Sequence, residues 1–208
     1  MEVLEKILLA SVEMFRQYGF KTITMDDIAR KSGVSKKTLY QHFANKTEVV
    51  NESVTWYQSK ISENCLSMMN NSENAVEGMV KVMEMFDQIY RQINPTALLE
   101  LERFYPEGFQ KFKENILSKD VLAIKENIQK GISEGLYRDG IDAEFLSRFR
   151  VELFMIMFHT NLLVNDRFDL KTVAYKISEH FLFGIMTPKG EKLYAKYKEK
   201  YLTDIVKI

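Results

Sequence analysis

Apolar side chains recur at every third or fourth position along most of this chain and nowhere alternate over a strand-length run. That pattern predicts helix throughout. The first helix is expected from about Val3 to Tyr18, with Leu4, Ile7, Leu8, Ser11, Phe15 and Tyr18 on one stripe and Gly19 as a left-handed C-cap. A short second helix follows Thr24, whose hydroxyl can accept from the first free amides, while Asp26 and Asp27 complement the positive end of the helix dipole. Ser32-Gly33 ends it. Ser35 then caps a third helix beginning at Lys36, with Leu39, Tyr40 and Phe43 as its inward face. Asn45 and Glu48 have the spacing of a capping box and start a longer fourth helix, striped by Val50, Val54, Tyr57, Ile61 and Cys65.

The polar run Asn70 to Asn74 reads as a loop, and a fifth helix follows with Val76, Met79, Val82, Met83, Phe86, Ile89, Tyr90 and Ile93 on one side. Asn94-Pro95 is expected to end it and to place Pro95 in the first turn of the next helix. Pro106 restarts the chain, and a helical stretch broken near Ser118 runs to Gly135. Arg138-Asp139-Gly140 reads as a turn, and Asp142 caps a helix from about Ala143 to Leu163. Its segment Leu153 to Phe158 is apolar all round and needs cover on more than one side. A helix from about Leu170 to Ile185 sets Val173, Ile177, Phe181 and Gly184 in register, and Thr187-Pro188 starts a terminal helix rich in Lys and Tyr whose aromatics are expected to dock on the body.

Composition adds limits. With 46% hydrophobic and 28% charged residues the chain is of globular type. Its longest strongly apolar run falls far short of the roughly 20 residues that cross a bilayer, so no membrane partner is expected. The single Cys65 cannot close an intramolecular disulfide, and Glu2 and Glu5 occupy the place of a cationic export segment, so a cytoplasmic location is expected. Twenty-nine basic residues balance twenty-nine acidic ones, and a nucleic-acid partner would have to be met by a local patch. The third helix supplies one: Lys36, Lys37, Thr38, Gln41 and His42, with Lys46 beyond, and no carboxylate between Asp27 and Glu48. Short helices of which the second and third are joined by a Gly-containing turn are the arrangement that lays one helix in the major groove of DNA.

The residues that carry this pattern resemble the tetracycline-repressor (TetR) family of bacterial one-component transcriptional regulators. They are Ile7-Leu8, Ala10, Phe15, Gly19-Phe20, Thr22, Thr24, Ile28-Ala29, Gly33-Val34-Ser35, Thr38-Leu39-Tyr40, His42-Phe43, Asn45-Lys46 and Glu48. The resemblance implies an all-α fold, with a helix-turn-helix DNA-binding domain over residues 1–46 and a larger helical ligand-sensing and dimerisation domain over 47–208. It implies that Thr24 and Ser35 reach phosphates, that Lys36, Lys37 and Thr38 approach base edges, that Tyr40 and His42 meet the DNA backbone, and that Lys46 meets a phosphate. Gln41 shares that surface at a position where the family varies. The implied partners are a palindromic double-stranded operator, a second copy of the chain and a small-molecule effector. Effector binding among the central helices would tilt the fourth helix and release DNA, and the resemblance points to a repressor, although the residues themselves do not separate repressor from activator.

Beyond about residue 50 the resemblance is one of outline. Gly131 to Arg138, followed by an Asp-capped helix, looks like the family's link into its last two, dimerising helices. Phe149, Leu153, Met157, Ile177, Phe181 and Gly184 are therefore expected at a homodimer interface. The effector pocket is expected among Met83, Phe86, Tyr90, Phe104, Phe109, Phe112, Phe154, Phe158 and His159, although Met and Phe at helical spacing are also what ordinary cores use. Such a lining suits a lipophilic effector. His159 and His180 lie on different helices without a ligating partner at i+3 or i+4, so no metal, cofactor or catalytic residue is expected. Two rival readings remain at this point: an all-helical enzyme using the Phe- and Met-rich region, and a dimeric DNA-binding protein without an effector.

Overall fold

The computed structural model describes residues 2–94, 96–159 and 169–202, with the side chains of residues 157–159 left aside. Among the described residues the regular structure is helical: α1 (Val3–Tyr18), α2 (Met25–Ser32), α3 (Lys36–His42), α4 (Lys46–Asn70), α5 (Ala75–Tyr90), α6 (Ala97–Phe104), α7 (Pro106–Asn115), α8 (Val121–Ser133), α9 (Ala143–His159), α10 (Leu170–Ile185) and α11 (Pro188–Tyr201). The break expected near Ser118 is a π-helical turn, Ile116–Asp120, between α7 and α8. None of the described helices is long and apolar enough to cross a membrane.

The helices pack as two compact units. The first comprises Met1–Ile61 with Gln92–Ile116, the second Ser62–Arg91 with Leu117–Ile208. The boundary expected after residue 46 marks the end of the short-helix motif, whereas packing also places the first part of α4 and the helices α6 and α7 with that motif.

In the first unit α1 packs on α2 and α6, α2 on α3, and α6 on α7. Ile7, Phe15, Ile28, Leu39, Phe43, Val50 and Leu101 form its buried interior, with the Phe15 and Phe20 rings stacked 4.9 Å apart. Only the middle of the α1 stripe is covered: Leu4 and Tyr18, expected inside, are exposed. Gly19 departs from the expected cap. Its φ of 80° and ψ of 169° lie outside the left-handed helical region, in backbone space that is essentially reserved for glycine. The reason is Glu100 of α6, whose Oε2 accepts the N–H groups of Phe20 (2.7 Å) and Lys21 (3.0 Å) and would stand 2.8 Å from a Cβ at position 19. Asn94 prepares the start of α6: its carbonyl accepts from Ala97 N–H, and its side-chain oxygen from Thr96 N–H. The helix begins at Ala97, and Pro95, expected in its first turn, lies outside the described residues.

In the second unit α5 is central, packed by α8, α10 and α11, and α9 packs on α8 and α10. Asp142 caps α9 by accepting from the N–H groups of Glu144 and Phe145. Thr187 caps α11 with Pro188 in its first turn. The tyrosines of α11 do dock: Tyr197 Oη accepts from Asn74 Nδ2 (2.8 Å), Tyr201 Oη donates to Glu77 Oε1 (2.7 Å), and Lys198 pairs with Glu179 at 2.8 Å. The link before α9 crosses the end of α10, where Arg138 N–H donates to Ile185 O and Thr187 N–H to Leu136 O, an isolated antiparallel bridge that helical periodicity gave no sign of.

Candidate nucleic-acid interface

The motif's turn is built from its caps. Thr24 Oγ1 accepts from Asp27 N–H (3.2 Å), and the Asp27 carboxylate accepts in return from the Thr24 amide (3.0 Å) and hydroxyl (2.6 Å). Those two bonds from Thr24 hold the Asp27 carboxyl below its usual pKa. Gly33 closes α2 with φ 70° and ψ 25°, the left-handed conformation that an L side chain resists. Ser35 Oγ then accepts from Thr38 N–H (3.0 Å) and lies 2.8 Å from Thr38 Oγ1. Leu39 is fully buried, so α3 is pinned by one apolar side chain and a cap while its other faces stay open.

On those open faces stand Lys37, Tyr40, Gln41 and His42, all exposed, with Tyr40 at 52%. Lys36 is exposed too, but its Nζ lies 2.5 Å from Asp26 Oδ2 across the turn. The expected cationic island is therefore partly neutralised, because the turn brings α2's carboxylate back over a helix that is carboxylate-free in sequence. Thr24 and Ser35 use their hydroxyls as caps, and Thr38 Oγ1 lies 2.8 Å from Ser35 Oγ. Lys46, at the start of α4, is half-buried with Nζ 3.4 Å from Lys21 O. Burial lowers its pKa, opposed by the carboxylates of Glu100 and Asp27. Asn45 and Glu48 form their box with one change of partner: Glu48 N–H donates to Asn45 Oδ1, but the Glu48 carboxylate accepts from the amide of Ala44. The pairings of Asp26 with Lys36 and of Glu100 with the first turn are not legible in the sequence, because neither residue is near its partner in chain order.

The expected pocket residues separate. Met83, Phe86, Tyr90 and Phe154 come together, with the Phe86 ring 5.7 Å from Tyr90 and 5.8 Å from Phe154, around a cavity of about 30 Å³ in the second unit. Phe104, Phe109 and Phe112 do not join them: they belong to the first unit, Phe104 46% exposed beside Lys21 and Arg103, and Phe109 buried with its ring 6.3 Å from Phe112. The side chains of Phe158 and His159 lie outside those described. Asp87, Arg150, Lys171 and Ser178 also line it, together with Met79 and Val82 of the α5 stripe. Cys65 is buried, and burial pushes its thiol up to about 12, with Asp120 adding to the effect. Among the described residues no cluster of three His, Cys, Asp or Glu could hold a metal ion.

Of the expected subunit-contact residues, Phe149 and Gly184 are exposed and Leu153 and Ile177 half-buried. Phe181 is a correction: it is 4% exposed, with the Arg150 guanidinium over its ring at 5.7 Å, because it turns into its own subunit's core. Met157 has its side chain outside the described set. Phe145, Ile156 and Phe183 are exposed large apolar residues on the same two helices, and Phe145 stacks on Phe149 with centroids 6.0 Å apart.

A capped helix-turn-helix beside a second, larger helical unit is the architecture of helix-turn-helix DNA-binding proteins. Residues 7–52 match the family described as bacterial regulatory proteins, tetR family. The chain is 24% identical over 189 residues to an uncharacterized HTH-type transcriptional regulator, YhgD, of Bacillus subtilis, covering 86% of this chain and 94% of that one. It is 23% identical over 147 residues to the HTH-type transcriptional repressor KstR2 of Mycobacterium tuberculosis, covering 69% and 74%. Its fold matches that of the transcriptional regulator FadR from Bacillus subtilis in complex with stearoyl-CoA, at a TM-score of 0.64 and 20% identity over 87% of this chain and 98% of that one. Residues 7–52 thus carry the DNA-binding region of the TetR family of transcriptional regulators.

Proposed function

We propose that this regulator is a repressor that binds a palindromic operator as a homodimer and is released by a small, lipophilic effector. The observation that carries the reading is α3: a short helix held by Leu39 and by the Ser35 cap, with Lys37, Tyr40, Gln41 and His42 presented together to solvent. Arg and Lys donate to guanine O6 and N7, whereas Tyr, Thr and a lysine at a helix start fix register on phosphates. Lys36 and Lys37 are assigned to base edges with Thr38, and Tyr40, His42 and Lys46 to the backbone. The exposed phenylalanines of α9 and α10 support a two-fold pairing of subunits, which presents two recognition helices to half-sites one helical turn or a multiple apart. Repression is supported by the naming of KstR2 as a repressor, and a lipophilic effector by the Met- and Phe-lined cavity and by the stearoyl-CoA complex of FadR. A cavity of about 30 Å³ holds little more than water, so the liganded state must be a different, opened one that the effector selects.

Substitution separates readers from positioners. Lys37→Ala should relax base preference at one position per half-site by about 1–3 kcal/mol, while Lys46→Ala should weaken all sequences alike and flatten the salt dependence. Quantitative binding to an operator and its single-base variants at several salt concentrations checks both; identical behaviour of the two variants contradicts the assignment. Asp26→Asn frees Lys36 from its 2.5 Å partner and removes a negative charge from the surface. Since an exposed ion pair is worth at most about 1 kcal/mol, operator affinity should rise a few-fold, and a fall in the same assay would remove Lys36 from the contact surface.

A further inference from the structure

We infer that the cavity of the second unit is an anion-reading site, so that the effector is an amphipathic monocarboxylate whose acid group is held by Arg150 and Ser178. The inference rests on the effector reading above and names its chemistry. Met79, Val82, Met83, Phe86, Phe154 and Ala174 give the lining an apolar surface. Against that surface stands a guanidinium. Arg150 is part-buried as a residue, but its Nε is wholly buried and has no acceptor. Its Nη2 donates to Ser178 Oγ at 2.7 Å, and no carboxylate pairs with it among the described residues. Burial pulls the pKa of Arg150 down, as expected of a cation without a counter-ion.

A part-buried cation held by one hydroxyl and the face of the Phe181 ring, with its Nε buried and unpartnered, is costly to the fold, and that cost is recovered when an anion arrives. Ser178 accepts from Arg150, which leaves its own O–H to donate to the same anion. Lys171 adds a second positive charge to the lining. Among the described residues Asp87 is the one acidic lining residue; its Oδ2 lies 2.6 Å from Arg91 Nε while its Oδ1 is buried without a partner, so a ligand's acid group is kept away from that end. The carboxylate of a ligand therefore belongs at the Arg150–Ser178 end and its alkyl part against the methionines and phenylalanines. Met side chains repack with little strain, which suits a small closed cavity that must open around a chain.

The test uses the full chain with octanoate, 1-octanol and octylammonium, three probes of one length and three charges, read by calorimetric titration and thermal shift. Octanoate should bind about 10- to 100-fold more tightly than octanol, the worth of a charge-assisted bond, and octylammonium should not bind. Arg150→Met should raise the melting temperature of the free protein, since it removes an unpaired charge, and should abolish the preference for octanoate while keeping octanol. Arg150→Lys should retain part of the preference. Equal binding of octanoate and octanol, no binding of any probe, or an undiminished octanoate preference in a folded Arg150→Met overturns the inference. Operator release is measured beside binding: release by octanol but not octanoate keeps the effector reading and sinks the anion site. Arg150-dependent octanoate binding without release keeps the anion site and sinks that reading.

Discussion

Phe149→Glu combined with Phe183→Glu should yield a folded monomer whose affinity for the operator is lower by about 10²–10⁴-fold. Both side chains are exposed in the subunit, at 43% and 49%, so a charge there costs the subunit little. In a two-fold pair each glutamate would meet apolar surface or its own copy, a desolvated charge at the centre of a contact. The loss in affinity follows from geometry alone, because the second recognition helix then binds from free solution instead of from the same molecule. Sedimentation or light scattering gives the mass, and circular dichroism the helix content. A variant that remains dimeric, or a monomer that binds as tightly as the parent, contradicts the assignment of α9 and α10 to the subunit contact.

Gly131→Ala is expected to be the most damaging single methyl group in the second unit. Gly131 lies under the ring of Tyr137, and a Cβ there would overlap several ring atoms. Tyr137 has nowhere to go: it is 1% exposed, and its hydroxyl donates to Asn127 Oδ1 (3.2 Å), whose Nδ2 donates in turn to Ala75 O (3.0 Å) at the start of α5. Moving the ring breaks a buried relay between α8, the link and α5. Overpacking of this kind costs about 3 kcal/mol, which in a chain of this size lowers the melting temperature by roughly 6–12 °C. Adding Tyr137→Leu should recover part of the loss by making room. A single variant that melts with the parent protein would contradict the close packing of the Tyr137 ring on Gly131.

What the sequence revealed follows the range of the interactions. Helices and caps are local, so Thr24, Ser35, Asn45, Asp142 and Thr187 could be read from residue type and the three or four residues that follow. Helix α3 was legible for the same reason, since a Gly turn between two capped helices is a short-range signature. Contacts between distant segments were not. Periodicity places Phe181 on an apolar face of α10 but does not say whether that face meets its own subunit or another; Arg150 over its ring decides that. Phe104, Phe109 and Phe112 have a pocket's composition, yet α6 and α7 pack with the motif's unit. Asp26 on Lys36 and Glu100 on the first turn are pairings of side chains that only the folded chain brings together. Arg150 was invisible as a site because a lone arginine on a helix is ordinarily solvated; its meaning lies in the buried Nε.

The central claim is that α3 reads sequence in a two-fold operator, and selection from a pool of random duplexes by the purified protein at near-physiological salt tests it most directly. Enrichment of a palindrome whose half-sites lie one helical turn or a multiple apart is the result predicted, with the enriched base pairs lost selectively when Lys37→Ala is used. Survivors without a shared sequence, held only by a steeply salt-dependent affinity, would contradict it and leave a protein that binds the DNA backbone alone.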